Sequence, residues 1–495
     1  LSRYFHRRSL TISVSFPFWK RGVVVLVGAC LIGLCIFGIR GRTGYNPIKV
    51  SAAYFCQDAF LNQLGVSPTF NLLTSVMDDM RPENKYLHLM DEQEAITKAQ
   101  ALLNRPGDAN VSPLAVYRRA AKADSVQQRR PNVVLIMMES MSAKFMKHFG
   151  QSETLTPFLD SLYTRSISFR NFYSAGIHTN HGLYATLYSF PAMMKRNLMK
   201  GSVIPRYSGL PTVLKENGYY NLFFMTHEGQ YDNMNAFFRT NGYDEVFSQE
   251  DYPADKVVNS FGVQDDFLYD YAIPVLNQRA ATGQPFFATL LSISNHPPYV
   301  IPPFFHPKTS EPEMQIVEYA DWALRQFFEE ARKQPWFDNT IFVLEGDHGK
   351  LVGDAECELP ESYNHIPLMI YSSRIQPEEK TAFGGQVDIQ PTILGLLNID
   401  YLQNNFGVDL LKEERPCMFY TADNMVVGRN DTLLYLYNYE TQQEFTYHID
   451  NGKLKAVPMD DRFLPLKEYS FSMLQSAEFL VKHGKTVNSV PFTQQ

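Results

Sequence analysis

The sequence predicts an α/β fold: a mostly parallel central sheet with helices on both faces, preceded by a transmembrane helix and closed by a small C-terminal α+β cap. Three observations carry that expectation. Short, unbroken apolar runs recur through the middle of the chain, helical patterns separate them, and one long apolar stretch near the N-terminus has basic residues on both sides.

The runs are Asn132 to Met138, Tyr219 to Met225, Phe286 to Ile293, Thr340 to Leu344 and Pro367 to Tyr371. Runs of this length suit strands buried on both faces, as in a parallel sheet. Between two of them, Ile316, Ala320, Ala323 and Phe327 follow 4-3-4 spacing, an apolar stripe on one helix. Alternating strands and helices imply a mostly parallel sheet, whose ligands bind at the carboxyl ends of the strands. From Tyr401 to Gln495 the pattern changes. Thr432 to Tyr437 and Glu444 to Ile449 read as antiparallel strands, Asp450-Asn451-Gly452 as a turn, and Ser470 to His483 as a helix.

Gly22 to Ile39 is 18 residues without a charge or a strong polar group. At about 1.5 Å per residue such a helix just spans a bilayer's hydrocarbon core. Lys20-Arg21 before it and Arg40 and Arg42 after it are membrane-type flanks. The alternatives are a buried core helix and a cleaved signal peptide, but the run is long for the latter and no small-residue cleavage site follows. Arg3, Arg7 and Arg8 add to the basic residues before the run. The positive-inside rule then puts the N-terminus in the cytoplasm and residues 40–495 outside. Beginning on Leu1, not Met, the chain is expected to be part of a longer protein, with room for further membrane helices upstream. The expected division is a cytoplasmic segment 1–21, a transmembrane helix 22–39, a helical connector 40–130, a main domain 131–400 and a C-terminal subdomain 401–495. In the connector, Asp91 to Asn104 reads as a helix ended by Pro106-Gly107.

Composition excludes several classes. Charged residues at 20% and hydrophobic residues at 45% of 495 describe a globular chain. A net charge of -7 leaves no electrostatic footprint for nucleic acid. The five cysteines form no CxxC pair, which argues against a thiolate zinc site.

Polar clusters stand where the predicted sheet should present them. Glu139-Ser140 ends the first strand, Ser294-Asn295-His296-Pro297-Pro298-Tyr299 follows the third, and Glu345-Gly346-Asp347-His348-Gly349 follows the fourth. Carboxylates and imidazole are costly to bury unpaired, so a shared cation is one solution; ordinary polar loops are the other reading. A fourth segment, Ser174 to Gly182, is a small-residue turn leading into a helix pattern. Thr179 stands at or beside the helix N-terminus, where free N–H groups favour an anion. A hydroxyl there can be a metal-activated nucleophile, or simply an N-cap.

The order of strand-Glu139, Thr179 in its turn, SNHPPY, EGDHG, NHIPLMIY and VDIQPTILGLLNI resembles the lipoteichoic acid synthase and phosphoglycerol transferase family, within the alkaline phosphatase and sulfatase superfamily. The resemblance runs from about Pro131 to Asp400, and the membrane helix with its connector is similar to the family's layout. It implies a nucleophilic Thr179 and one divalent cation, manganese or magnesium, held by Glu139, Thr179, Asp347 and His348. The similar phosphoethanolamine transferases imply zinc as the alternative, and a substrate-phosphate or second-metal role for His296 and His365; by the residues alone His365 is equally a core histidine.

His227 to Asp244 resembles the family's substrate segment, His227 matching. Where the family's glycerol-phosphate polymerases carry an aromatic-Asn-Arg triplet, this chain has Asp232-Asn233-Met234. The phosphate-clamping Arg is missing, Arg239 lies nearby, and Asp232 is expected to meet a cationic head group such as ethanolamine. The resemblance thus implies a membrane-anchored phosphotransferase moving a phosphoglycerol or phosphoethanolamine head group from a membrane phospholipid, by way of phospho-Thr179, to a glycan or glycolipid acceptor. The alternatives are a hydrolase of the same fold, with phosphodiesterase favoured because no C/S-x-P-x-R sulfatase motif is present, and a non-enzymatic scaffold.

Overall fold

The computed structural model describes residues 17–488 apart from 44–46, 55, 57–58, 82–83, 106–117, 120–129 and 202. Arg3, Arg7 and Arg8, used for the membrane orientation, and Pro106-Gly107, expected to stop the connector helix, lie outside the described residues.

Helix α1 (Phe18–Arg40) covers the apolar run and has no buried residue. An 18-residue window of it has a mean hydropathy of 2.8, and it is long and apolar enough to cross a membrane. Gly41 closes it in the left-handed conformation at φ 76, its amide donating to the Phe37 carbonyl, a glycine's role at a helix end. The connector that follows contains α2 (Pro68–Asp79) and α3 (Glu92–Leu103). Asp91 caps α3 by accepting from the Gln93 and Glu94 amides. Ala95, Ile96, Ala99 and Leu103 turn inward at 3-4 spacing and are buried.

The main domain is built on eight strands: β1 (Asn132–Met138), β2 (Ile167–Tyr173), β3 (Tyr220–Met225), β4 (Glu245–Phe247), β5 (Phe286–Leu291), β6 (Thr340–Gly346), β7 (Leu368–Tyr371) and β8 (Glu378–Gly385). Their order is β4-β3-β5-β1-β6-β7-β2-β8. Only β7 runs against its neighbours; the other pairs are parallel. Every residue of β1 is buried, because alternate side chains serve two cores. Val133, Leu135 and Met137 pack on one face with Leu183 and Leu187 of α4 (Thr179–Tyr188). Val134, Ile136 and Met138 pack on the other with Leu268 and Ala272 of α5 (Asp265–Ala280) and with Ile316, Ala323 and Phe327 of α6 (Pro312–Ala331). Each such aliphatic side chain contributes about 1.5–3 kcal/mol on burial, so this strand is fixed from both sides.

The C-terminal part is a five-stranded antiparallel meander, β9 (Met418–Thr421), β10 (Met425–Arg429), β11 (Leu433–Asn438), β12 (Gln443–Asp450) and β13 (Lys453–Ala456), followed by α7 (Leu464–Lys482). Asn451 and Gly452, both at positive φ, make the β12–β13 turn. Helix α7 holds the connector. Gln475 accepts from the Leu89 amide at 2.7 Å, and Glu478 accepts from the Leu87 amide and pairs with Arg196. Thus residues 87–103 belong to the same core as residues beyond 131.

Candidate active site

Strands β5, β1 and β6 are adjacent and parallel, so the chain leaves all three at one edge. There the Asp347 amide donates to the Met138 carbonyl at 3.0 Å, and Asn295 Nδ2 donates to the carbonyls of Glu139 and Ser140 at 3.2 and 3.1 Å. Ser140 turns the chain at φ 50. A non-glycine residue in that region costs on the order of 1–3 kcal/mol. Two bonds offset it: the Ser140 amide donates to Asp347 Oδ1 at 2.8 Å and its hydroxyl to Glu139 Oε1 at 2.7 Å.

Thr179 is the first residue of α4, with His178 as the N-cap. Its hydroxyl donates to Glu139 Oε2 at 3.3 Å. The helix reaches this position because Gly182 lies against the Asp347 loop: a Cβ there would stand 2.3 Å from the Asp347 carbonyl oxygen and 2.9 Å from Gln386 Nε2. Gly182→Ala is therefore expected to push α4 off the loop at a cost of about 1–3 kcal/mol, read by urea unfolding; unchanged stability would show that the close approach is not maintained in solution.

One ligand atom from each of Glu139, Asp347 and His348 lies within 4.8 Å of the others. His348 donates Nδ1–H to the Gly349 carbonyl at 2.7 Å, which leaves Nε2 with its lone pair, 3.8 Å from Glu139 Oε1 and 3.6 Å from Asp347 Oδ2. Asp347 Oδ2 is buried with no hydrogen-bond partner. Burial, reinforced by the Asp347 charge, holds the Glu139 carboxyl well above the usual carboxylate range. Two adjacent buried carboxylates, an orphaned oxygen and a free imidazole nitrogen form a donor set that a divalent cation completes. Glu345 is outside it; its carboxylate accepts from the Thr186 hydroxyl at 2.5 Å.

The cluster opens into a cleft of about 440 Å³, lined among others by Glu139, Thr179, Asn180, Tyr231, Asp232, His296, His348 and Lys350. The other candidate residues are placed unevenly. His296 lines the cleft, its Nδ1 donating to the Pro297 carbonyl at 2.6 Å. His227 is buried behind Tyr231, with ring centroids 4.6 Å apart. Asn233 turns away and donates to the Met199 carbonyl. His365 does not line the cleft: it bridges to Tyr173 ahead of β7, stacks on that ring at 5.1 Å and donates Nε2–H to the Arg170 carbonyl at 2.8 Å. Burial pushes its pKa down, as for a neutral core histidine. Asp232 lines the cleft, but its carboxylate is already paired with Lys200 at 2.7 Å and accepts from Asn180 at 3.3 Å. Arg239 donates to Asn235 Oδ1 and the Val246 carbonyl and stays out of the cleft.

Two residues went unmarked in the sequence. Lys350 is the one lysine or arginine among the described cleft-lining residues. It donates to Asn295 Oδ1 at 2.7 Å and Tyr299 Oη at 3.2 Å, and burial pulls its pKa down to about 8. Its place directly after EGDHG was the available signal. Gln386 accepts from the Ala175 amide at 2.9 Å and donates to the Gly346 and Asp347 carbonyls at 3.1 and 2.7 Å, joining the turn before Thr179 to the Asp347 loop. No pattern in the sequence marks an amide of this kind.

Comparison with known proteins agrees with this architecture. Lipoteichoic acid synthase 2 of Bacillus subtilis is 24% identical over 315 residues, 57% of this chain and 47% of that protein. Lipoteichoic acid synthase of Staphylococcus saprophyticus is 24% identical over 367 residues, 67% of this chain and 54% of that protein. The chain spans about half the length of the curated relatives it matches. Among solved structures, a protein in the alkaline phosphatase superfamily from Vibrio parahaemolyticus superposes with a TM-score of 0.73 at 26% identity, over 82% of this chain and 100% of that one. The lipoteichoic acid synthase LtaP from Listeria monocytogenes gives 0.62 at 20% identity, over 76% of this chain and 97% of its own. The fold is that of the alkaline phosphatase superfamily. The sulfatase family model matches residues 131–399, more than half of the chain, and the chain belongs to the sulfatase family.

Proposed function

We propose that this protein is a membrane-anchored, metal-dependent transferase that moves the phosphoglycerol head group of a membrane phospholipid, by way of Thr179, to a glycan or glycolipid acceptor. The observation that carries it is the Thr179 hydroxyl, at a helix N-terminus and 3.3 Å from Glu139 beside Asp347 and His348. Helix α1 anchors the chain, and residues 131–400 form the catalytic domain on the extracytoplasmic side, with 40–130 as connector and 401–495 as C-terminal subdomain.

Glu139, Asp347, His348 and Thr179 would hold one divalent cation, manganese or magnesium by the oxygen-rich donor set, and when bound it lowers the hydroxyl pKa and offsets phosphoryl charge. Thr179 Oγ attacks phosphorus, its proton leaving along the existing hydrogen bond toward Glu139. The P–O bond to diacylglycerol breaks, that oxygen takes up a proton, and glycerophosphate remains on Thr179. An acceptor hydroxyl then attacks the same phosphorus, restores the Thr179 hydroxyl and carries the group away. The free N–H groups at the start of α4 favour the phosphate's charge, as does Lys350, the cation in the cleft of a chain with no Arg at Met234. Among the described cleft-lining residues, the carboxylates outside the Glu139 cluster already have partners: Asp232 pairs with Lys200, and Glu313 accepts from Tyr299 Oη at 3.0 Å and lies 3.9 Å from Lys350. Lys350→Ala is expected to raise KM for the phospholipid at least about tenfold, a lost charge–phosphate contact, with Lys350→Arg restoring part; unchanged KM would remove Lys350 from phosphate binding.

The deciding experiment incubates the full chain with labelled phosphatidylglycerol or phosphatidylethanolamine, then identifies the Thr179 peptide by mass spectrometry. A glycerophosphate adduct on Thr179 that transfers to a glycan is expected. Release to water alone would make the enzyme a phosphodiesterase, and absence of any adduct would remove the covalent route.

Metal affinity should depend on pH with a definite sign. Glu139's carboxyl in the metal-free protein is raised above the ordinary carboxylate value, so below that raised pKa a cation must displace its proton. Manganese affinity is expected to rise with pH from the ordinary carboxylate range upward and to level off above Glu139's raised pKa. Calorimetry in buffers of different ionisation heat should show about one proton released per ion on the rising limb. An affinity flat with pH would exclude Glu139 as a ligand.

A further inference from the structure

Helix α2 is amphipathic in the wrong sense for water. Its partly buried side carries Phe70, Asn71, Thr74 and Ser75, while Leu72, Leu73, Val76 and Met77 face outward, 49–65% exposed, with Met80 just beyond at 77%. The spacing i, i+1, i+4, i+5, i+8 gives one continuous apolar stripe. A soluble domain gains nothing from ordering such a stripe against water.

The surroundings say what covers it. Just past the end of α1, Arg42 pairs with Glu228 at 2.6 Å, four residues before the cleft-lining Asp232. The foot of the membrane helix is therefore fastened to the rim of the cleft. Lys49 sits in the same place, half-buried, within the fields of Lys200, Asp232, Glu228 and Arg81. Arg42, Lys49 and Lys200 thus lie with Glu228 and Asp232 between the end of α1 and the cleft. An exposed apolar helix face in the same connector that follows a membrane span matches a bilayer surface.

The geometry points to α2 lying in the plane of the bilayer interface, its apolar stripe among the upper acyl chains, holding the mouth of the Thr179 cleft at the level of the phospholipid head groups. A phosphodiester then reaches Thr179 while its acyl chains stay in the bilayer. This deepens the reading under Proposed function, and rests on it for the lipid donor and for α1 as the membrane span.

The test uses the full chain in vesicles of phosphatidylglycerol and phosphatidylethanolamine. A benzophenone amino acid replaces Met77 in one protein and the inward Ser75 in another. On illumination, the proposal requires lipid adducts at 77 and few at 75. Cross-links from 77 to polypeptide would overturn it, showing that a second copy or further membrane helices cover the stripe. In parallel, the double change Leu73→Glu and Met77→Glu should cut turnover on vesicle phospholipid at least about tenfold and leave turnover on a soluble phosphodiester unchanged. Equal turnover of the parent and this variant on vesicles would also overturn it. Because cross-linking does not read activity, failure of the phosphotransferase reading would appear separately, as absence of turnover on both substrates.

Discussion

Thr179→Ala is expected to lower turnover by several orders of magnitude while the protein stays folded. The side chain is half-exposed and makes one long hydrogen bond, to Glu139. The cap of α4 is His178, so no N-cap is lost with the hydroxyl. On the proposed mechanism, what disappears is the atom that would form the covalent intermediate, and the remaining groups would not replace it. Turnover of a soluble phosphodiester beside a thermal melt checks both halves of the expectation. Thr179→Ser should keep part of the activity. A Thr179→Ala protein that turns over near the parent rate would end the nucleophile assignment.

Arg415→Ala should destabilise the protein by about 3–5 kcal/mol, the effect of leaving a buried charge without its partner. Arg415 and Asp388 are both fully buried. The guanidinium donates to both Asp388 oxygens, to Tyr469 Oη at 2.6 Å and to the Phe406 carbonyl at 2.6 Å. Asp388 also accepts from the amides of Gly385 and Val408. The pair thus joins the end of β8 to α7, and with it the main sheet to the C-terminal subdomain. Replacing Asp388 and Arg415 together with apolar residues should cost less than Arg415→Ala, since no charge is then stranded. Urea unfolding of the three proteins measures this. A loss under about 1 kcal/mol in Arg415→Ala would mean that water reaches Asp388.

The main-sheet strands legible in the sequence are those buried on both faces. Asn132–Met138 is continuous apolar sequence because two cores use it, and its bounds follow from its neighbours Pro131 and Glu139. Strands β2 and β8 gave no such signal. ISFRNFY is interrupted by the exposed Arg170 and the partly buried Asn171, and EEKTAFGG begins in solvent at the sheet's edge, so neither contains an unbroken apolar run. The antiparallel direction of β7 depends on pairing with β2 and cannot be read from LMIY. At the site, strand order alone was enough to bring Glu139, Asp347 and His348 to one edge. Lys350 was passed over because a lone lysine normally reads as solvated; here Asn295 and Tyr299, distant in sequence, bury it. His365 allowed two readings, and its stack on Tyr173 favours the core one.

The Gln386 amide has a consequence for ion selectivity. It fixes the turn before Thr179 and the carbonyls around Asp347 at once, while Gly182 presses α4 against the same loop. Two of the proposed metal ligands, Thr179 and Asp347, are thus tied to one frame. Magnesium and manganese ask for oxygen distances near 2.0–2.2 Å, whereas calcium asks for about 2.3–2.6 Å and more ligands. Discrimination against the larger ion would then come from the stiffness of the frame and not from the donor atoms, and loosening the Gln386 contacts would show itself first as tolerance of calcium.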